Sequence, residues 1–406
     1  MYDLLKGLRV VEGAAFVAGP SCGLYLAQMG AEVIRFDNIG GGPDFNRWPL
    51  TEGGDSLYWE GLNKSKKSIA INLGSPEGRA LAVRLAASPG ENGGLFVTNF
   101  PAEGFLSYEA LKTAREDVIC VRVMGWADGK PALDYTINCA VGVPGMTGHP
   151  DDPRPVNHMV PAWDLLTGAY GAFSLTSALI ARRMDGRGRE VRIPLSDIAA
   201  TSLANLGMLG DVMGGAPDRP RMGNALYGAF GRDFVTRDGK RIMMVAITAR
   251  QWRGLLQTLG IGEAVAAVEG QVGVSFAEDE GLRFEHRDRL FPLFEQAFAT
   301  RDLAEMIPTF DAQGVCWGIY QPLSAAVDDP RLYRGNPVFE EITQPSGRRY
   351  LAPGATGTIP QDARQSPRPA PRLGQHTDEV LLEVLGMSST EVGKLHDAGV
   401  VAGPGA

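Results

Sequence analysis

The chain is poor in the residues that build disulfide, metal and redox sites. Its 406 residues include four cysteines and five histidines. Cys22, Cys120, Cys139 and Cys316 lie far apart with no C-x-x-C pair, which argues against a disulfide framework and a zinc knuckle. The histidines at 149, 158, 286, 376 and 396 show neither H-x-H nor H-E-x-x-H spacing, so no metal site is expected. No stretch reaches the roughly 18 apolar residues of a membrane span. The start, MYDLLKGLRVVEG, has no basic leader followed by an apolar segment of signal-peptide length. Positive charge is short as well. A net charge of -8 argues against nucleic acid or an anionic membrane as the main partner. The expectation is a soluble protein with reduced thiols, in a cytoplasm.

What is present is globular: 44% hydrophobic and 21% charged residues, with room for two domains or one large one. LRVVE, a loop AAFVAGPSCG, a helical LYLAQMGA and EVIRFD make a β-loop-α-β unit of the parallel, doubly wound kind. KSIAINL, GLFVTNF, VICVRVM and EVRIPL read as further strands. SPEGRALAVRLAA reads as a helix capped by Ser75 with Pro76 in its first turn. Residues 165–184 form a long helix whose small residues permit close packing. The spacing predicts α/β for residues 1–200, a linker at 201–224 and a smaller α+β domain at 225–325. That smaller domain opens on a hairpin around Asp238-Gly239. A Pro- and Arg-rich linker arm covers 326–374, and helices return the chain to the large domain at 375–406.

Candidate sites divide between structural and chemical uses. Asp37 ends the second strand where a ribose-binding acid would sit, but Gly13, Gly19 and Gly23 form no G-x-G-x-x-G, so a dinucleotide site is disfavoured. No G-x-S-x-G elbow offers a serine nucleophile. Lys64, Lys66 and Lys67 are either a solvated loop or an anion site. In PAWDLLTGAY, Asp164 opens the long helix as an N-cap. The same place offers chemistry: the helix N-terminus favours an ionised carboxylate, a nucleophile toward an activated acyl group, with Gly168 and Gly171 leaving space beside it.

The order and spacing of several segments resemble the class III coenzyme A transferases, a family that includes the α-methylacyl-CoA racemases. The segments are GLRVVEGAAFVAGPSCGLYLAQMGAEVIRFDNIGGG, LNKSKKSIAINLGSPEG, TNFPAEGF, DYTINCAVGVPGMTG, WDLLTGAYGAFSLTSALIARRMDGRGREVRIPLSD and PAPRLGQHTDEVLLEVLG. The resemblance implies a Rossmann-like large domain built from both ends of the chain, a small domain between, and an interlocked, ring-shaped homodimer. It implies an acyl-CoA substrate, no metal or prosthetic group, and Asp164 as the nucleophile.

In the racemase branch a base histidine would stand at Leu133 and a glutamate at Thr248, so proton exchange is not expected. FDNIGGGPDFNRWP, TNFPAEGFLSYEAL, VPAWD, GNALYGAFGRDF and LHDAGVVAGP are similar to a branch that moves CoA between the two carboxyl carbons of one branched unsaturated dicarboxylate. Transfer to a separate acid is the alternative. CoA contacts carried over by position are Val17, Ala18, Ile71, Leu73, Asn99 and Phe100. Basic residues of the formyl-CoA branch are replaced here by Asn38, Gly74 and Ala132, which leaves Arg47, Lys66 and Lys67 as candidates for the CoA phosphates. Backbone N–H groups around Gly142 to Gly145, or at the helix start, are candidate oxyanion donors.

Overall fold

The structure, a computed structural model, describes residues 1–405. Its strands are β1 (Arg9–Gly13), β2 (Glu32–Asn38), β3 (Lys67–Ile71), β4 (Leu95–Thr98), β5 (Ile119–Met124), β6 (Arg189–Pro194), β7 (Phe230–Val235), β8 (Arg241–Ala246), β9 (Cys316–Ile319), β10 (Phe339–Thr343), β11 (Arg349–Pro353) and β12 (Val401–Ala402).

The chain divides into two compact units. The first comprises Met1–Val141, His158–Ala216 and the residues from Asp329 on. Its sheet runs β12-β3-β2-β1-β4-β5-β6, parallel throughout except for β12, which pairs antiparallel with β3. Alternation along each strand explains its two cores. Val11, Ile34, Phe36, Ile69 and Phe96 face one layer, packed with helix Pro76–Ala86 and the C-terminal helices. Val10, Val33, Leu95, Val97 and Val121 face the other, packed with helices Ala18–Gln28 and Ala162–Asp185. Strand order reverses between β1 and β4, so the loops after those strands open a crevice at the carboxyl end of the sheet.

The second unit, Gly142–Asn157 with Pro217–Asp328, holds the antiparallel sheet β7-β8-β9. The hairpin turns at Asp238-Gly239, where Gly239 has φ +74, a conformation glycine adopts without strain. Phe230, Phe234, Trp252, Phe294 and Phe298 fill its core.

Two connections carry more structure than expected. The stretch 201–224 contains the end of helix Leu195–Asn205 and all of helix Met208–Met213. The arm 326–374 contains the β10–β11 hairpin, and past it Gln365 and Arg368 are tied to Met1 and Ser65 by main-chain hydrogen bonds. Residues 142–157 join the second unit across a long sequence separation, which local periodicity does not register. No helix among the described residues is long and apolar enough to cross a membrane.

Candidate active site

The two loops at the strand-order reversal are clamped together by Asn99. Its Oδ1 accepts from Ala15 N at 3.2 Å, and its Nδ2 donates to Ala15 O at 2.9 Å. Below them Thr98 Oγ1 donates to Gly13 O at 2.8 Å. Two cavities flank the clamp. One, about 500 Å³, is lined by Ala15–Ala18, Asn99, Phe100, Leu133, Asp164 and Arg192. The other, about 480 Å³, is lined by Ala14–Phe16, Asp37, Asn38, Leu73, Asn99 and Phe100. The shared lining of Ala15, Phe16 and Asn99–Pro101 makes them one trough running from Asp164 to the end of β2.

Asp164 is not the cap of its helix. Pro161 occupies that position without a side-chain hydrogen bond, and Asp164 is the third helical residue. The capping acceptor comes from elsewhere: Asp134, 1% exposed at the start of helix Asp134–Ala140, accepts the Asp164 N–H on Oδ2 at 3.0 Å. Its Oδ1 is hydrogen-bonded to His158 Nε2. One turn along, Asn138 Oδ1 accepts from Trp163 Nε1 at 3.0 Å, so one face of that short helix fixes the start of the long one.

The expectation of a helix terminus that favours an ionised Asp164 is also corrected. Burial, and then the negative charge of Asp134, push its carboxyl up to about 7, while Arg47 and His158 pull it back. Gly168 and Gly171 do not open space beside it. A Cβ on Gly168 would lie 2.7 Å from Ser21 Cβ, and one on Gly171 3.2 Å from Cys22 Sγ, so both serve close packing on helix Ala18–Gln28.

Val17, Ala18, Leu73, Asn99 and Phe100 all line the trough. Ile71 does not; it is fully buried in the core. Lys66 lies inside the fold, with Nζ 2.9 and 3.0 Å from the Glu12 carboxylate oxygens and 3.0 Å from Asn63 Oδ1, which leaves no donor for a phosphate. Lys67 sits at the amino end of β3, away from the trough, paired with Glu32 and Glu379 at 2.6 Å. Asp37, weighed as a ribose ligand, is bound by Arg35 Nε and Nη2 at 2.8 Å each. Arg35 also reaches Asp44 Oδ1 at 2.7 Å.

Arg47 is not part of the trough lining. Its guanidinium lies 5.5 Å from the Phe16 ring centroid and 5.3 Å from that of Tyr58, and its charge acts on Asp164. Leu133 and Thr248 are helix-capping positions: Leu133 N–H donates to Thr136 Oγ1, and Thr248 Oγ1 accepts from Gln251 N–H. Gly145 N is spent on Gly142 O, and both residues belong to the second unit.

Several members of the site have no local signature in the sequence. His158 and Asp134 tune Asp164 through a pairing that spans 24 residues and leaves no motif. Arg79, whose Nε donates to Leu73 O at the trough edge, and Arg192 and Lys130, which line the cavity of Asp164, carry no motif that marks them. Among the described residues no group of three or more His, Cys, Asp or Glu could hold a metal ion.

The model of CoA-transferase family III matches residues 5–377. The 2-methylfumaryl-CoA isomerase of Chloroflexus aurantiacus is 48% identical, over 100% of this chain and 99% of the relative. The succinate–glutarate CoA-transferase of Agrobacterium fabrum is 29% identical, over 94% of this chain and 95% of the relative. A solved CAIB/BAIF family protein from Brucella suis superimposes with a TM-score of 0.76 at 25% identity, over 94% of this chain and 100% of that structure.

Proposed function

Because the chain belongs to CoA-transferase family III, we propose that it moves CoA between the C1 and C4 carboxyl groups of 2-methylfumaryl-CoA (mesaconyl-CoA), with Asp164 as nucleophile. The observation that carries the reading is the trough that ends on Asp164, a half-buried carboxyl whose main-chain N–H is held by Asp134 and which is reactive as its anion near neutral pH.

The Asp164 carboxylate attacks the C1 thioester carbonyl. A C–O bond forms, the C–S bond breaks, and CoA leaves as thiolate from a mixed anhydride. The thiolate then attacks the Asp164 γ-carbonyl, which expels the dicarboxylate and leaves an aspartyl-CoA thioester. The C4 carboxylate attacks that same γ-carbonyl and releases thiolate again. Thiolate finally attacks the C4 carbonyl, giving the C4 thioester and restoring the Asp164 carboxylate. No proton or electron is gained or lost over the cycle. Holding donor and acceptor carboxylates in one bound molecule contributes several kcal/mol, on the order of what intramolecular reactions gain.

The CoA portion occupies the trough against Val17, Ala18, Leu73, Asn99 and Phe100, with Arg79, Lys130 and Arg192 at its edges as the cations for its phosphates. A homodimer, interlocked as the family resemblance implies, fits the row of exposed Leu166, Tyr170, Phe173, Ile180 and Met184 along one helix, an apolar face suited to a second copy.

Incubating the purified protein with 2-methylfumaryl-CoA and no added acid tests the transfer. Conversion to the C4 thioester is expected. Conversion that starts only when a free acid is supplied would instead establish the intermolecular alternative.

A further inference from the structure

Arg47, an exposed residue, differs from the buried arginines of the first unit. Arg35 and Arg122 spend their charge on carboxylates at 2.7 Å, whereas Arg47 enters no ion pair with any described residue. It is nevertheless positioned. Its guanidinium lies over the rings of Phe16 and Tyr58. Phe16 is held at φ +70, a conformation costly for an aromatic residue, with its N–H donating to Asp44 Oδ2 at 3.0 Å. Asp44 is fixed in turn by Arg35.

The Arg47 carbonyl accepts from Ser56 Oγ at 2.5 Å, and Ser56 caps helix Leu57–Asn63, which carries Tyr58. Tyr58 supplies the second observation: its Oη is buried and has no hydrogen-bond partner among the described residues. Asp164, Asp44 and Tyr135 all act electrostatically on that hydroxyl. An arginine outside any ion pair and a buried donor with no acceptor therefore adjoin one another next to Phe16, which lines the cavity of Asp164, a combination that matches a ligand carboxylate.

We propose that Arg47 and Tyr58 form a subsite for the substrate's non-reacting carboxylate. The subsite rests on the dicarboxylate reading above and gives it a physical basis. While Asp164 carries CoA, the released dicarboxylate is free of any covalent bond, and this pair keeps it in place. The carboxylates of 2-methylfumarate lie trans across the double bond, so the molecule presents one to Asp164 and the other to Arg47, and exchanges them by turning over. Arg47 thereby acts on the acyl group and not on the CoA phosphates.

The test is affinity, measured by calorimetry in the inert Asp164→Asn background, for 2-methylfumaryl-CoA and for 2-methylpropenoyl-CoA, which lacks the second carboxylate. Arg47→Met is expected to weaken the first by about 10- to 100-fold and the second by less than about 3-fold, and Tyr58→Phe to show the same selectivity at about 3- to 10-fold. Arg47→Lys, which keeps the charge, should recover part of the loss and controls for folding. Equal losses on both thioesters, or none on either, would overturn the subsite. Binding selectivity in a protein whose native form moves no CoA would leave the subsite standing and sink the transfer reading. CoA migration with unselective losses would do the reverse.

Discussion

Asp134 accepts the main-chain N–H of Asp164 at 3.0 Å, so the residue that holds the nucleophile's backbone also repels its side-chain charge. One carboxylate thus contributes to the geometry and, after burial, to the raised proton affinity. The carboxylate whose Oδ2 satisfies an otherwise orphaned helix N–H also raises the proton affinity of the carboxyl next to it.

The rate should follow Asp164 ionisation. With its carboxyl pushed up to about 7, kcat/KM is expected to fall about tenfold per pH unit on the acid side of neutrality, because only the anion attacks the thioester. Asp134→Asn keeps an acceptor for the Asp164 N–H and removes the negative charge, so its acid limb should shift to lower pH. An unchanged limb in that variant would mean another group is being titrated.

Stability should show the opposite sign. A carboxyl whose folded value is raised from 3.8 to about 7 contributes stability that is fully present below 3.8 and lost as pH rises through 7. Asp164→Asn, which never ionises, should therefore be more stable than the native chain at pH 8, by on the order of 2–4 kcal/mol. The gap should narrow toward pH 4, as read by denaturant midpoints at each pH. A variant less stable at pH 8 would contradict the raised carboxyl.

Lys66→Met should act on folding and not on CoA affinity. It leaves Glu12, fully buried, without its ammonium partner, a change expected to cost about 3–5 kcal/mol. The folded fraction, compared at equal concentration, should bind CoA normally in calorimetry. A selective loss of CoA affinity would return Lys66 to the phosphate site.

Charge on the apolar helix face tests the assembly. Phe173→Asp with Ile180→Asp, at positions 63% and 60% exposed in the single chain, should convert a dimer to monomer in light scattering after size exclusion. A dimer indifferent to both changes would place the interface elsewhere.

Much of the sheet was legible because β1 to β6 alternate with amphipathic helices, and Ser75 and Pro76 mark a start in local chemistry. The trough contacts Val17, Ala18 and Asn99 were legible through the order of motifs in the chain. The ion partners were not. Lys66 looks like a loop lysine in LNKSKKS, and only the sheet order β3-β2-β1 brings Glu12 to it. Asp164 looked like a cap because aspartate commonly is one, while the acceptor that does the work enters from Asp134, thirty residues earlier. Short strands such as β9 and β12 carry too few residues for periodicity to declare them.

The central claim is that CoA passes through Asp164. Hydroxylamine added to the enzyme during turnover of 2-methylfumaryl-CoA, followed by peptide mass spectrometry, measures it most directly. The account predicts a hydroxamate on Asp164, absent without substrate. A mark on another residue, or turnover with no protein mark at all, would contradict it.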